Sequence, residues 1–225
     1  MHRPLQILCL LIISSVLFPS ILAYSQAEAQ SPAVITFTID FPTSQPEHYS
    51  VLVNSEGKAR YEWSGKVSSQ SEEIDTFAYE FTVSSTTRDK VFELAAKARY
   101  FQKDLDSHRK NMAFTGKKTL SYKDESRSGE STYNYSPDVA VQDLTNLFQG
   151  LSATLELGHR LEYSLHYQKL ALADELKRTE ESARMSPPVE IQAIAPILQQ
   201  IVADSSVMNV TRARAQRLLD RPPGH

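Results

Sequence analysis

Residues 136–182 read SPDVAVQDLTNLFQGLSATLELGHRLEYSLHYQKLALADELKRTEES. The beginning of this stretch carries the signals of a helix N-terminus. Ser136 can cap the helix, Pro137 suits its first position, and Asp138 places negative charge at the positive end of the helix dipole. The stretch therefore predicts one long helix over 136–182, and the rest of the chain is predicted to cover it.

An apolar stripe runs along this helix in steps of four and three residues, or their sum. It consists of Leu144, Phe148, Leu151, Leu155, Gly158, Leu165, Leu172 and Leu176. A period of 3.5 residues is typical of a seam against another helix. Gly150 and Gly158 lower helix propensity, and we interpret them as positions where a partner helix comes close.

The partner predicted for this stripe follows in the sequence. After a break at 185–188, residues 189–203 carry apolar side chains in steps of three, four and three, and a last helix is predicted over 207–219. A short connection favours antiparallel neighbours, so we expect the run to pack back on the long helix. The expected contacts are Ile191 and Ile194 near Leu176 and Leu172, and Leu198 and Ile201 near Leu165 and Leu161.

The part of the chain before the long helix predicts an antiparallel sheet. Apolar residues alternate with polar ones over 34–41, 48–53, 58–64, 76–83, 116–122 and 130–135, and a helix is predicted over 88–99. The fold class is therefore α+β: an antiparallel sheet of about six strands with one packed helix, followed by a long helix and a C-terminal helical hairpin extension. The expected organisation is a signal peptide over 1–29, the sheet with its helix over 30–135, and the helices over 136–225, the last two forming one compact unit.

The N-terminus predicts export. His2 and Arg3 precede an apolar run over 5–23, and Ala27-Glu28-Ala29 fits a small-x-small cleavage site. The alternative is an uncleaved membrane anchor over 5–23, because the run is close to spanning length. Cys9 is the only cysteine and lies inside this segment, so the mature chain is expected to have neither a thiol nor a disulfide.

Composition and motifs exclude several functions. The formal net charge of −3 and the pI near 6.1 give no basic footprint for nucleic acid. The sequence has neither a Gly-x-Ser-x-Gly elbow nor a phosphate-binding glycine-rich loop, so we predict no catalytic residue and no cofactor.

Four residues of the long helix are the best candidates for a metal site: Glu156, His159, Glu162 and His166. Glu156-x-x-His159 has the spacing used in di-iron bundles, and imidazole with carboxylate suits Zn, Fe or Cu. A bundle site needs a second such set from other helices, which the sequence lacks. The alternative is a solvated polar face, and we therefore predict no metal.

Three further groups have a functional and a structural interpretation. Asp104 and Asp106, with His108 nearby, could form an acid pair, or cap a loop. Tyrosines and the tryptophan on the strands could form a ligand face, or pack in the core; they are Tyr49, Tyr61, Trp63, Tyr79, Tyr122, Tyr133 and Tyr135. Arg212, Arg214, Arg217 and Arg221 could touch lipid or a partner, or serve solubility.

The sequence thus predicts a secreted or periplasmic, non-enzymatic binding or scaffold module. Its expected partner is another protein or a cell-envelope component, not nucleic acid, and it meets a membrane only if the N-terminal segment is uncleaved. Two alternatives remain open: a hydrolase-type enzyme that uses the acid pair, and a metal-handling protein that uses the His/Glu face.

The compartment leads to a first prediction. Protein isolated from the native host should have the mass of a chain that begins at Gln30, because cleavage is expected after Ala29. Intact-mass measurement checks this. A chain that begins at Met1 and stays in the membrane fraction would instead establish the anchor.

Overall fold

A computed structural model describes residues 31–42, 44, 46–66 and 74–221. The predicted signal peptide over 1–29 and the alternative anchor over 5–23 lie outside these residues. Within them the fold is α+β, as predicted: a six-stranded antiparallel sheet, one helix after the fourth strand, and a series of C-terminal helices.

The sheet has the strand order β4-β3-β2-β1-β5-β6. Its strands are β1 (Val34–Asp40), β2 (His48–Asn54), β3 (Lys58–Lys66), β4 (Ile74–Thr82), β5 (Lys117–Lys123) and β6 (Ser128–Tyr133). The helices are α1 (Ser85–Lys97), α2 (Val139–Tyr167), α3 (Lys169–Ser182), α4 (Ala195–Ala203) and α5 (Asn209–Leu219).

One face of the sheet is buried under helices α1 and α2. The alternation seen in the sequence decides which face this is, because Ile35, Phe37 and Ile39 of β1 all point inward and are almost fully buried. The ring of Phe37 stacks on that of Phe148 in α2, with centroids 5.4 Å apart. The apolar stripe of α2 therefore packs on the sheet as well as on helices.

The long helix differs from its prediction at both ends. It begins at Val139, because the side chain of Asp138 accepts the hydrogen bond from the N–H of Ala140. It breaks at Gln168, whose φ of −145° and ψ of 63° are not helical. Residues 15 apart would lie about 22 Å apart along a straight helix, yet Arg160 donates to Glu175 at 3.0 Å. The chain therefore bends sharply at Gln168.

Over 189–194 the predicted antiparallel seam is wrong in direction and register, because Ile194 lies at Gly158 rather than near Leu172. A methyl group at Gly150 would meet Val189, and one at Gly158 would meet Ile194, so segment 189–194 advances in the same direction as α2. The bend at Gln168 is the reason, since α3 now occupies the returning path and packs against both α2 and α5. The close approach expected at both glycines is confirmed, but the neighbour is not an α-helix. Gly150 faces Val189 in a turn, and Gly158 faces Ile194 in the short 3-10 helix over Ile191–Ile194.

The turn that leads into this segment contains a buried charged residue. Glu190 is 4% exposed and has a φ of 52°, a left-handed conformation that is uncommon outside glycine. The hydroxyl of Ser84 donates to its carboxylate at 2.5 Å, while the same oxygen accepts from the N–H of Thr87 and caps α1. The C-terminal segment is thereby fastened to the start of α1.

The basic face predicted on the last helix is used within the chain. Arg214 and Arg217 of α5 form ion pairs with Glu180 of α3, and Arg221 donates to the carbonyl of Ala183. These three arginines therefore bind other parts of the same chain, a role that was not among the two predicted for this face. None of the described helices is both long and apolar enough to cross a membrane.

The two glycines of α2 give a second prediction. In Gly158→Ala the new methyl group would lie 2.5 Å from Cγ2 of Ile194. Overpacking costs about 1–3 kcal/mol, which outweighs the helix propensity that Ala gains over Gly, roughly 1 kcal/mol. Urea unfolding should therefore show a less stable protein. Adding Ile194→Ala removes the clashing atoms, so the double variant should lose less than the sum of the single losses. Strictly additive losses would show that the two residues are not in contact.

Candidate functional site

Four aromatic side chains form a row across the β3–β4 end of the inner sheet face. They are Trp63, Phe77, Tyr79 and Phe81, and all four are half-buried. Successive ring centroids lie 6.4, 6.3 and 6.2 Å apart along the row. We call this set the aromatic row. It is half-buried because α1 and α2 cover the other strands of the sheet more completely than β4.

Two contacts hold the inner side of the aromatic row in place. The imidazole of His159 in α2 lies 4.5 Å from the ring of Phe77 and 6.0 Å from that of Trp63. The hydroxyl of Tyr79 donates to the carbonyl of Ala193 at 3.0 Å. The indole N–H of Trp63 is buried and has no acceptor among the residues that the structure describes. The row thus presents aromatic surface, while the indole N–H of Trp63 lies beneath that surface.

A hydrogen-bonded group behind the row links β3 to α2. Tyr61, fully buried, donates to the carboxylate of Glu156 at 2.6 Å and accepts from the hydroxyl of Ser152 at 3.3 Å. Burial, and then the bond to Glu156, raises the pKa of the Tyr61 phenol, and burial raises the pKa of Tyr49 to about 12. Both phenols are therefore neutral donors at physiological pH, which suits a structural role.

The four metal candidates are divided between two environments. Glu156 and His159 are half-buried and face the sheet, so the solvated face predicted as their alternative does not hold for them. Glu162 and His166 are exposed, and Nδ1 of His166 lies 2.8 Å from the backbone carbonyl of Glu162. Within the described residues, no three His, Cys, Asp or Glu side chains are placed to share a metal ion.

The acid pair lies in an exposed loop before β5. Asp104 contacts His108 at 2.6 Å, and Asp106 accepts from the backbone N–H groups of His108 and Asn134. The bond to His108 lowers the pKa of Asp104, and the bond to the Asn134 N–H lowers the pKa of Asp106. A general acid at neutral pH needs a raised pKa. The geometry therefore favours the interpretation of a capped loop.

The two edges of the sheet differ in how they are covered. At β6, the N–H of Leu105 donates to Ser131 and that of Ser107 to the carbonyl of Tyr135, so the preceding loop protects the edge. At β4, the strand pairs with β3 on one side, and no described strand pairs with the other. The strand reads IDTFAYEFT and contains neither Lys nor Pro, and its charged residues are Asp75 and Glu80.

A second feature, which the sequence analysis missed, is a buried lysine at the opposite end of the sheet. Lys118 is 5% exposed and lies in a cleft of about 280 Å³ whose described lining contains no acid. Its amine donates to the carbonyls of Thr115, Gly116 and Asn134 and to the Thr115 hydroxyl. Since these oxygens occupy all three N–H groups, the lysine joins the start of β5 to the end of β6.

The signal for Lys118 was present in the alternation of β5. Lys118 shares a face with Leu120 and Tyr122, both of which are buried, and it lies opposite Ile39 of β1.

Comparison with known protein families and with curated proteins finds no match for this sequence. Function is therefore inferred from the side chains and backbone of this chain.

The buried lysine gives a third prediction. Burial lowers the pKa of Lys118 below its usual value of 10.5. Between the lowered pKa and 10.5 the unfolded chain binds more protons than the folded one, so this residue makes stability rise with pH in that window. Urea unfolding of wild type and Lys118→Met from neutral pH upward should show wild-type stability rising relative to the variant. Parallel pH profiles would contradict the expected change in protonation.

Proposed function

We propose that this protein is a non-enzymatic binding and scaffold module of the extracytoplasmic space, and that it binds a polypeptide through β4. The observation that carries the proposal is the combination of an uncovered strand edge with the aromatic row beside it. The edge offers backbone donors and acceptors, and the row offers apolar area.

The edge of β4 and the aromatic row can both contact the same kind of partner, an extended polypeptide. An added strand hydrogen-bonds to the backbone of an open edge, while its alternate side chains reach the neighbouring sheet face. Phe77, Tyr79 and Phe81 point to that face from β4 itself, so a strand that pairs with β4 lies directly beside them. A small molecule could stack on the rings, but only a polypeptide can also pair with the edge.

The titratable side chains support a role without catalysis. Glu156 is engaged by Tyr61, Asp106 by two backbone N–H groups, and Lys118 by four oxygens. Each of these groups completes a structural bond, and they lie in separate parts of the chain. The location in the extracytoplasmic space rests on the apolar run over 5–23 and on Ala27-Glu28-Ala29.

Site-directed photo-crosslinking tests the proposal. Cys9 is replaced by Ser, and Ala78→Cys on β4 then provides a single thiol for a benzophenone probe. Thr132→Cys is the matched control, because Thr132 is also exposed but lies on the protected β6 edge. After illumination with envelope extract of the native host, mass spectrometry should identify a polypeptide adduct at position 78 in clear excess over position 132.

Two outcomes bear on the proposal in opposite directions. Phe81→Ser removes apolar area from the aromatic row without touching the thiol, and it should weaken the adduct at position 78. Equal labelling at positions 78 and 132, or no polypeptide adduct at position 78, would overturn the proposal.

A further inference from the structure

We propose that the polypeptide bound by β4 is a second copy of this chain, and that the two β4 strands pair antiparallel about Ala78 to join two six-stranded sheets into one. This inference rests on the proposed function, because it names the partner of the same edge. It follows from the hydrogen-bond pattern, the side-chain positions and the charges of β4.

The backbone groups that are free on β4 follow from its pairing with β3. The N–H of Val83 donates to the carbonyl of Gly57 at 2.9 Å, and these two residues continue the β3–β4 register by one pair. Bonded and non-bonded pairs alternate along an antiparallel ladder, so Phe77, Tyr79 and Phe81 bond to β3. The N–H and C=O groups of Thr76, Ala78 and Glu80 therefore point away from β3, and the N–H of Thr76 donates to the carboxylate of Asp75 at 2.8 Å.

Pairing about Ala78 fits this pattern, with the N–H of Thr76 exchanging the carboxylate of Asp75 for the carbonyl of the partner's Glu80. It overlaps all nine residues of β4. The N–H of Ala78 then donates to the C=O of the partner's Ala78, and its C=O accepts from the partner's N–H. Thr76 then lies opposite the partner's Glu80, and Phe77 opposite the partner's Tyr79. The aromatic pairs occupy non-hydrogen-bonded positions, where facing side chains are closest, so each aromatic row extends the other across the two-fold axis.

The charges of β4 are compatible with this register. Its acidic residues are Asp75 and Glu80, and Nη1 of Arg60 on β3 lies 2.9 Å from the Glu80 carboxylate. Centring the pair on Ala78 places Glu80 opposite Thr76 and Asp75 opposite Phe81, so no like charges face each other. Centring it on Glu80 would oppose two carboxylates and shorten the overlap, which disfavours that register.

Side-chain exposure makes the pairing compatible with each chain as it stands. Thr76, Ala78 and Glu80 are exposed, and an antiparallel partner places its own small or polar side chains beside them. The pairing is isologous, because each copy contributes the same strand. The β4 edges of both copies are then paired. Two copies therefore form a closed unit.

Disulfide trapping tests the register. With Cys9 replaced by Ser, Ala78→Cys places two thiols on residues whose Cα atoms would be about 5.5 Å apart, within the range of a disulfide. The matched control is Thr76→Cys, because two copies of residue 76 would be separated by four residues along the strands, about 13 Å. Mild oxidation should give a covalent dimer for Ala78→Cys and little or none for Thr76→Cys. Equal yields from the two variants would overturn the register and the inference.

Light scattering and fluorescence test the assembly without a thiol. Wild type should have the mass of a dimer, and its emission should change on dilution, because Trp63 is the single tryptophan and lies in the aromatic row. Ala78→Lys opposes two ammonium groups and should be monomeric with an unchanged far-UV circular dichroism spectrum, whereas Ala78→Thr should remain dimeric. A wild type that is monomeric at every concentration would overturn the inference.

The outcomes separate this inference from the proposed function. A monomeric chain that still cross-links a different polypeptide at position 78 overturns the inference and leaves the proposed function in place. A chain that cross-links no polypeptide there, its own copy included, overturns both.

Discussion

The close approach of segment 189–194 to α2 at Gly150 and Gly158 is the contact on which the arrangement of the helices depends. A methyl group at either glycine would meet Val189 or Ile194 at 2.5 Å, so only glycine permits this separation. Ile191 and Ile194 are almost fully buried as a result. The position of this segment then determines where α4 begins, and through α4 where α5 packs on α3.

The same segment completes the β4 side of the sheet. The carbonyl of Ala193 accepts from Tyr79, and the carboxylate of Glu190 accepts from Ser84. The left-handed backbone at Glu190 is sustained because its side chain is bonded and buried, so the surrounding structure offsets the conformational cost. The aromatic row is thus firmly supported on its inner side, while no strand in the described part of the chain pairs with the outer edge of β4.

Most of the fold could be predicted from the sequence because short-range patterns determine it. Alternation located the strands and identified inward residues such as Phe37 and Tyr61. The predicted start at Ser136 was within three residues of Val139, although the N-cap is Asp138 rather than Ser136. The bend at Gln168 could not be predicted, since neither Pro nor Gly stands there and the helical pattern continues through it. Part of the site could be predicted, because the tyrosines and Trp63 were recognised as candidates for a ligand face. Which part of the sheet face the helices cover could not be predicted, because it depends on residues distant in the sequence. Sequence spacing alone placed His159 with solvent-facing residues, whereas its ring packs on Phe77.

The long separations of the bonds around β3 and β4 have a consequence for how the protein is made. Three side chains of this region hydrogen-bond to residues that come much later in the sequence. Tyr61 bonds to Glu156, Tyr79 to Ala193 and Ser84 to Glu190, which follow 95, 114 and 106 residues later. Contacts of such high contact order form slowly and cannot form before the later residues have been synthesised. Until the last third of the chain emerges, the aromatic strands lack their cover, and an exposed β4 edge is most prone to wrong pairing during that interval. A nascent chain of this protein therefore exposes its aromatic strands for longer than a helical bundle of equal length exposes its apolar faces, because the contacts of a bundle are more local.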